Sequence, residues 1–499
     1  METKMSTPSP TSVIVLILGA VVIAFVRAIR ARSRGQLPPG PPGYPIIGNL
    51  FDLTAYMHTV YTGWKEEYGN IIYIKVFAKN IVILNTVEDA IELLDGHGRI
   101  HSNRPRMRTL EMMGWTGATT LMPYNSLLRR QRQFIKMVLN DKAVVTNLTP
   151  LLERETMTFL RNLRDAPEDF PMHIGRFAVG VVMHVAYGLD IESMDEPVMQ
   201  YVRRAMGRLV QTGTPGSGKM VDFIPLLQYL PWWATEFTRT AAISRPEVDL
   251  MWSVPFNMAR EKMAKQGPSH SVVQLMISRL GGVDGNLSLM DAQDIKATGG
   301  ALYAGGEDTN TVSLLTFFLC ATRHREAFRR SQEEIDRVVG PDRLPTFADR
   351  ENLPFTEAVQ SEVWRWSSPP NLGIPHASEE DDFFKGYFIP KGTMIVANLY
   401  GMTRACEDPE EFKPERYLGD TPQPNPRNII FGFGRRICPG RKLADRMIWL
   451  AITQITAVFD ISSVGDTIPP ADFKPGFTRH PMPFKCNITV RPGREALIR

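Results

Sequence analysis

The stretch Asp294 to Thr322, DIKATGGALYAGGEDTNTVSLLTFFLCAT, sets the first constraint on the fold. It reads as a helix that is largely apolar all round, and such a helix has to be buried. Ser288 is placed to cap it, with Asp291 in the capping-box position. The other segments must cover it, and most of the later ones read as helices joined by short loops. Ile71 to Phe77 and Ile81 to Leu84 read as a β-hairpin across Lys79-Asn80, and Phe388 to Leu399 as another turning at Pro390-Lys391-Gly392. The expected class is mainly α with a minor β region. Gly305, Gly306, Glu307 and Asp308 interrupt the buried helix. Each glycine costs about 1 kcal/mol against alanine. Such local violations are expected at functional sites.

A second stretch explains what the interruption could serve. Phe431-Gly432-Phe433-Gly434-Arg435-Arg436-Ile437-Cys438-Pro439-Gly440 holds one cysteine in a glycine-rich turn before a helical run that starts near Arg441. A thiol at a helix start meets the positive end of the dipole and unpaired N–H groups, which favour the thiolate. Gly434 and Gly440 would let a flat ligand approach the backbone, and Phe431 could cover the sulfur. One thiolate offered by a tight loop suits the axial ligand of haem iron. The other cysteines, Cys320, Cys406 and Cys486, form no C-x-x-C pair, so zinc and dithiol redox motifs are unsupported. The formal charge of +4 is too small to imply nucleic acid.

The pattern F-x-x-G-x-R-x-C-x-G, filled by Phe431, Gly434, Arg436, Cys438 and Gly440, resembles the haem-binding signature of the cytochrome P-450 monooxygenases. Gly305 to Thr309 resembles the [AG]-G-x-D-T motif of that family, Glu362 to Arg365 its E-x-x-R motif, and Pro414 to Arg416 its P-E-R motif. The resemblance implies the P-450 fold, a helix-rich single large domain with small sheets. It implies haem b held by Cys438, insertion of one oxygen atom of O2 into an apolar small molecule, and Asp308 and Thr309 relaying protons. Glu362, Arg365 and Arg416 would form a buried ion network. Arg132, in the position of the second arginine of W-R-x-x-R but with Leu128 for tryptophan, would bind a propionate, as would Arg436 and His376. Met112, Met113, Trp115, Leu302, Leu372, Ile374 and Phe477 would line the substrate pocket. The wording around Leu372 to His376 is most similar to fungal enzymes of secondary metabolism, so a terpenoid, polyketide or alkaloid is the expected substrate.

Val13 to Val26 is an unbroken apolar run followed by Arg27, Arg30, Arg32 and Arg34. Arginines after the run mark a stop-transfer flank on the cytosolic side, not a cleaved signal peptide. Residues 1–35 are therefore expected to be an anchor with one transmembrane helix, about residues 12–29. Residues 36–48 are a stiff Pro/Gly hinge, and 49–499 the catalytic domain facing the cytosol from the endoplasmic reticulum membrane. The implied electron donor is an NADPH-dependent flavoprotein reductase in that membrane, with cytochrome b5 as a second candidate. Phe223 to Trp233 is strongly apolar and, if exposed, would dip into a bilayer. A haem-thiolate isomerase or dehydratase would need no proton relay. A P-loop enzyme, suggested by Gly213 to Lys219, fails at Met220, which cannot ligate magnesium.

Overall fold

The computed structural model describes residues 35–212, 220–281 and 287–499. The expected membrane anchor and the P-loop decoy lie outside those residues. Among the described residues no helix is long and apolar enough to cross a membrane.

Seven helices position the site. They are α1 (Ser126–Leu139), α2 (Phe170–Tyr187), α3 (Pro197–Thr212), α4 (Glu236–Gln266), α5 (Leu289–Arg323), α6 (Pro354–Trp366) and α7 (Arg441–Val458). Helix α5 is the buried one anticipated above, and its start is where the sequence puts it. The Ser288 hydroxyl accepts the Asp291 N–H at 3.0 Å and donates to Asp291 Oδ2 at 2.7 Å. Its second half carries Phe317, Phe318, Leu319 and Cys320, all essentially without solvent contact. Each of the large apolar ones is worth about 1.5–3 kcal/mol of transfer free energy.

Glycine is what allows α5 to be surrounded so closely. A Cβ on Gly299 would lie 2.7 Å from the Tyr187 ring of α2, and one on Gly306 would lie 2.9 Å from Val182 of the same helix. A Cβ on Gly300 would collide with Trp252 of α4. Gly305 differs, because a Cβ there meets nothing within 4 Å and the residue is exposed in the middle of a buried helix. The two glycines read together in the sequence therefore have separate roles. Gly306 closes the α2–α5 contact, and only Gly305 faces open space.

The β region is small. Strands β1 (Ile71–Val76), β2 (Lys79–Leu84), β3 (His376–Ala377) and β6 (Met394–Ala397) form one sheet in the order β1-β2-β6-β3. Strands β4 (Asp382–Phe384) and β5 (Tyr387–Ile389) form a separate hairpin, and β7 (Phe459–Ser462) pairs with β8 (Asn487–Val490). The first hairpin turns at Phe77-Ala78, two residues earlier than Lys79-Asn80, with Phe77 at φ 50°. Lys79 and Asn80 pair across the ladder instead, where Asn80 accepts the Tyr73 hydroxyl at 2.8 Å.

The second expected hairpin is not one. Residues before Pro390 pair with β4, whereas Met394 to Ala397 crosses to lie parallel to β2 and antiparallel to β3. Proline supplies no N–H to continue a ladder, and Gly392 at φ 79° redirects the chain. An inner strand covered on both faces needs an unbroken apolar run, and Met394-Ile395-Val396-Ala397 is one. The Pro/Gly segment is also not a free spacer. The Pro39 carbonyl accepts the Tyr73 N–H at 2.8 Å, and the Gln36 carbonyl accepts the Phe388 N–H at 2.7 Å, so it is laid onto both sheets.

The difference between the paired glycines can be tested by thermal denaturation. Gly306→Ala should lower stability by up to about 2 kcal/mol, since overpacking costs about 1–3 kcal/mol and better helix propensity returns about 1. Gly305→Ala should be neutral or stabilising by up to about 1 kcal/mol. Equal melting shifts in the two variants would contradict the assignment.

Candidate functional site

The cysteine loop is built on close backbone approach. Gly434 has φ 57°, and a Cβ there would collide with the Leu94 carbonyl, so no other residue fits. The Cys438 N–H donates to the Phe431 carbonyl at 2.8 Å, closing the loop just before α7. Phe431 stands edge-on to Trp364 of α6, ring centroids 5.6 Å apart. Burial pushes the Cys438 thiol up, while the amide N–H groups of Gly440 and Arg441 and the Arg132 charge pull it down. Desolvation wins in the protein alone. A metal cation at the sulfur would supply the missing charge and remove the proton.

Beside the loop lies an unusual collection of positive charge. Arg132, on α1, donates to the Ile437 carbonyl at 2.7 Å. Arg436 donates to the carbonyls of Ser102 and Met122, both at 2.7 Å, while its Nη1 is buried with no partner. Arg104 donates to the carbonyls of Thr120, Ile374 and Pro375. Among the described residues none of the three forms an ion pair. Burial depresses all three, and mutual repulsion adds to it, with Arg436 brought down to about 10. Partly to fully buried guanidinium groups whose hydrogen bonds go to carbonyls lack countercharge, so the set is suited to anionic groups.

His376 stands in the same region, hydrogen-bonded through Nδ1 to the His101 carbonyl at 2.8 Å. That contact makes Nδ1 the donor and leaves Nε2 an acceptor. Burial and the Arg104 charge keep the ring neutral, so His376 offers a carboxylate little, and Arg104 supplies the third cation instead. Sequence reading passed over Arg104 because an arginine before proline in an irregular stretch carries no spacing signal.

On α5 the Thr309 hydroxyl donates to the Gly305 carbonyl at 2.8 Å, and Asn310 Nδ2 donates to the Gly306 carbonyl at 2.6 Å. Two consecutive carbonyls are thus taken by side chains four residues on, which loosens the helix beside its one open glycine. Among the described residues the Asp308 carboxylate forms its hydrogen bonds with Thr478 and His480 and not with the Thr309 hydroxyl. Its Oδ2 accepts the Thr478 hydroxyl at 2.5 Å, and its Oδ1 meets His480 Nε2 at 2.7 Å. Burial pushes the Asp308 carboxyl up, but the His480 and Thr478 contacts outweigh it and leave the group below its ordinary value. Neither Thr478 nor His480 announces this role in the sequence, since they lie about 170 residues downstream of Asp308.

Glu307 is the opposite case. Among the described residues no hydrogen bond or ion pair reaches it, and burial, with Asp308 next to it, pushes its carboxyl up to about 8. The two neighbouring acids therefore hold different protonation states at neutral pH, one neutral and one ionised.

The expected pocket residues divide. Leu302, Ile374, Phe477 and Met112 are partly open. Met113 and Trp115 are buried in the main core, Trp115 edge-on to Trp252. Leu372 is buried with Met57, Tyr61 and Ile72 behind the sheet. These three pack in the protein interior and do not border open space.

Glu362, Arg365 and Arg416 meet. Arg365 forms a bidentate pair with Glu362 at 2.7 and 3.0 Å, and Arg416 Nε reaches Glu362 Oε1 at 3.1 Å. The Lys413 N–H completes the carboxylate at 2.8 Å. The guanidinium groups spend their remaining donors on carbonyls of Glu407, Asp408, Pro409 and Glu411. The network thereby fixes the segment between α6 and the cysteine loop.

A helix-rich body with a cysteine at the mouth of α7, unpaired arginines beside it and an opened helix carrying a hydroxyl fits one class. The donor set is that of a haem-thiolate protein. The Cytochrome P450 family profile matches residues 38–488. Cytochrome P450 monooxygenase 176 of Postia placenta is 35% identical over 97% of this chain and 96% of its own. Cytochrome P450 monooxygenase claR of Ampulloclitocybe clavipes is 36% identical over 99% and 94%, and cytochrome P450 monooxygenase ppsD of Aspergillus oryzae 31% over 96% and 93%. The chain belongs to the cytochrome P450 family and is a haem-thiolate monooxygenase that uses O2 and a redox partner.

Two measurements probe the site. Glu362→Ala would strand buried charge and should cost about 3–5 kcal/mol in denaturant unfolding, with loss of haem. For Glu307, an acid raised in the folded state keeps its proton between its ordinary 4.5 and about 8, so the folded chain binds more protons there. Stability then falls as pH rises through that window. Glu307→Gln should flatten the decline, read as urea midpoints at about pH 5 and pH 8. An unchanged slope would show that Glu307 is ionised.

Proposed function

We propose that this chain oxygenates an apolar small molecule of secondary metabolism, of the terpenoid, polyketide or alkaloid kind, at the endoplasmic reticulum membrane. The reading rests on the pairing of an opened, hydroxyl-bearing helix with a carboxylate held ionised beside it, which an isomerase or dehydratase would not need. When bound, the haem supplies the oxidising chemistry. Cys438 would hold its iron, with Phe431 and the glycines Gly434 and Gly440 shaping the loop. Arg104, Arg132 and Arg436 take the two propionates. Thr309 holds a transferable proton beside Gly305. Asp308, whose carboxylate is held by His480 and Thr478, takes up a proton from water and passes it on towards Thr309. Leu302, Ile374, Phe477 and Met112 contact substrate.

Electrons are proposed to come from an NADPH-dependent flavoprotein reductase, with cytochrome b5 as a second donor. The arginine-flanked apolar run at residues 13–26 supports an uncleaved anchor with the catalytic domain in the cytosol. An exposed apolar face supports the same placement. Leu226, Tyr229, Trp232 and Trp233 are each more than 60% exposed, as are Ile46 and Phe51 near the entry of the chain. The two groups are joined through Phe77, which contacts Phe223 and whose N–H donates to Ile47. Exposed apolar side chains of this kind support contact with a bilayer.

The decisive assay measures NADPH consumed, hydrogen peroxide released and product formed together. Thr309→Ala should keep substrate affinity while diverting electrons from product to peroxide, by about 10²–10⁴-fold, the usual worth of a positioned acid. Thr478→Val, which frees Asp308 Oδ2, should shift the same ratio in the same direction by less. Loss of substrate binding with intact coupling in Thr309→Ala would make the residue a pocket wall. Retention of the thiolate carbon monoxide spectrum by Cys438→Ala would remove the ligand assignment.

A further inference from the structure

Outside the active site, three ligand-type side chains converge that the oxygenation chemistry does not use. His97 and His101 stand four residues apart, and Asp382 opens strand β4 opposite them. His97 Nδ1 lies 2.7 Å from Asp382 Oδ2, and His101 Nε2 lies 2.8 Å from the same oxygen. One donor atom from each residue falls within 4.8 Å of the others. The two imidazoles lie nearly parallel at 21°, and Phe384 stands edge-on to His97 at 6.0 Å. We propose that His97, His101 and Asp382 form a binding site for a divalent transition-metal ion such as zinc.

Four observations carry this. The donor set, two imidazole nitrogens and one carboxylate oxygen, is that of a three-ligand zinc or first-row transition-metal site. The charge balance needs a cation, since the Asp382 side chain is only 12% exposed and among the described residues no lysine or arginine pairs with it. Its other oxygen takes only the Phe383 N–H. The nearby charges are already engaged with each other, as in the Arg99–Glu380 pair. Access is available, because the His97 side chain is 35% exposed while that of His101 is fully buried. Water can therefore complete the coordination on the His97 side.

Binding requires little movement. With bonds of about 2.0–2.1 Å, the ligand atoms of a tetrahedral site lie about 3.3 Å apart, so each nitrogen must draw back about half an ångström from Asp382. His97, at the surface, has room to do so. Each neutral imidazole moves its proton to its other ring nitrogen, so no proton need leave the protein. In His97 that nitrogen is Nε2, and in His101 it is Nδ1, which has no hydrogen-bond partner to hold either tautomer. The ion would tie the segment that carries Arg104 to the β4–β5 hairpin. The His101 and Ser102 carbonyls already hold His376 and Arg436, and Arg104 follows two residues later.

The test titrates zinc ions into untagged, chelator-treated holoenzyme by calorimetry, alongside His97→Ala and Asp382→Asn. His97 contacts Asp382, His101 and Phe384 and none of the residues assigned to the haem, so the variant should keep the wild-type reduced carbon monoxide spectrum. Wild type should bind one zinc per chain, and each variant should bind it at least about 10–100-fold more weakly. Zinc should raise the thermal midpoint of wild type and leave that of His97→Ala unmoved. Absence of stoichiometric zinc binding to wild type, which would leave the cluster as two N–H donors on a carboxylate, overturns the proposal. Equal affinity in His97→Ala overturns it too.

Discussion

Three neighbouring guanidinium groups that no carboxylate among the described residues neutralises are the constraint on which the functional half of this protein turns. Carbonyls orient Arg104, Arg132 and Arg436 but cannot neutralise them. Their repulsion is a cost that the folded chain carries until an anion arrives. Under the proposed assignment, a haem with two propionates would offset that cost as it binds. The surrounding architecture is consistent with a protein completed by its cofactor. The arginines come from three separate segments, and the Ser102, Met122 and Ile437 carbonyls lock those segments to one another. Haem affinity and the order of the loop before α1 should accordingly be coupled quantities.

The opposite logic governs the Glu362 network. There two cations share one carboxylate and carbonyls take the remaining contacts, so both guanidinium groups have an anionic partner inside the protein. One cluster is finished by folding and the other awaits a ligand. The same contrast recurs between Asp308, held by two donors, and Glu307, held by none. Adjacent acids on one helix thus acquire different protonation states from their partners and not from their position in the chain.

Features that depend on neighbours within a few residues were legible in the sequence. The Ser288 cap, the burial of α5, the Thr309–Gly305 contact and the Glu362–Arg365 pair all follow from local spacing. The Cys438 loop was legible because it compresses its requirements into ten residues. What escaped was set by distant contacts. Nothing near Met113 or Trp115 distinguishes a pocket wall from core, and the pairing of α4 with the Trp115 loop decides it. The roles of His480 and Arg104 depend on segments that meet only in three dimensions. The split of the expected Phe388–Leu399 hairpin has the same origin, since β6 finds its neighbour in β2 and not in the strand beside it in sequence.

That parallel pairing has a consequence for how the chain is made. Leu84 and Ala397 are ladder partners separated by roughly 310 residues. At about 5–20 residues per second, the β1–β2 hairpin leaves the ribosome roughly 15–60 seconds before β6 exists. Throughout that interval the Ile81–Leu84 edge is apolar, extended and unpaired, which is the condition in which strands recruit the wrong partner. The Pro39 and Gln36 carbonyls cap other strands and give β2 no cover. Yield in a foreign host should therefore respond more to translation speed and chaperone supply than to changes in the stability of the finished enzyme.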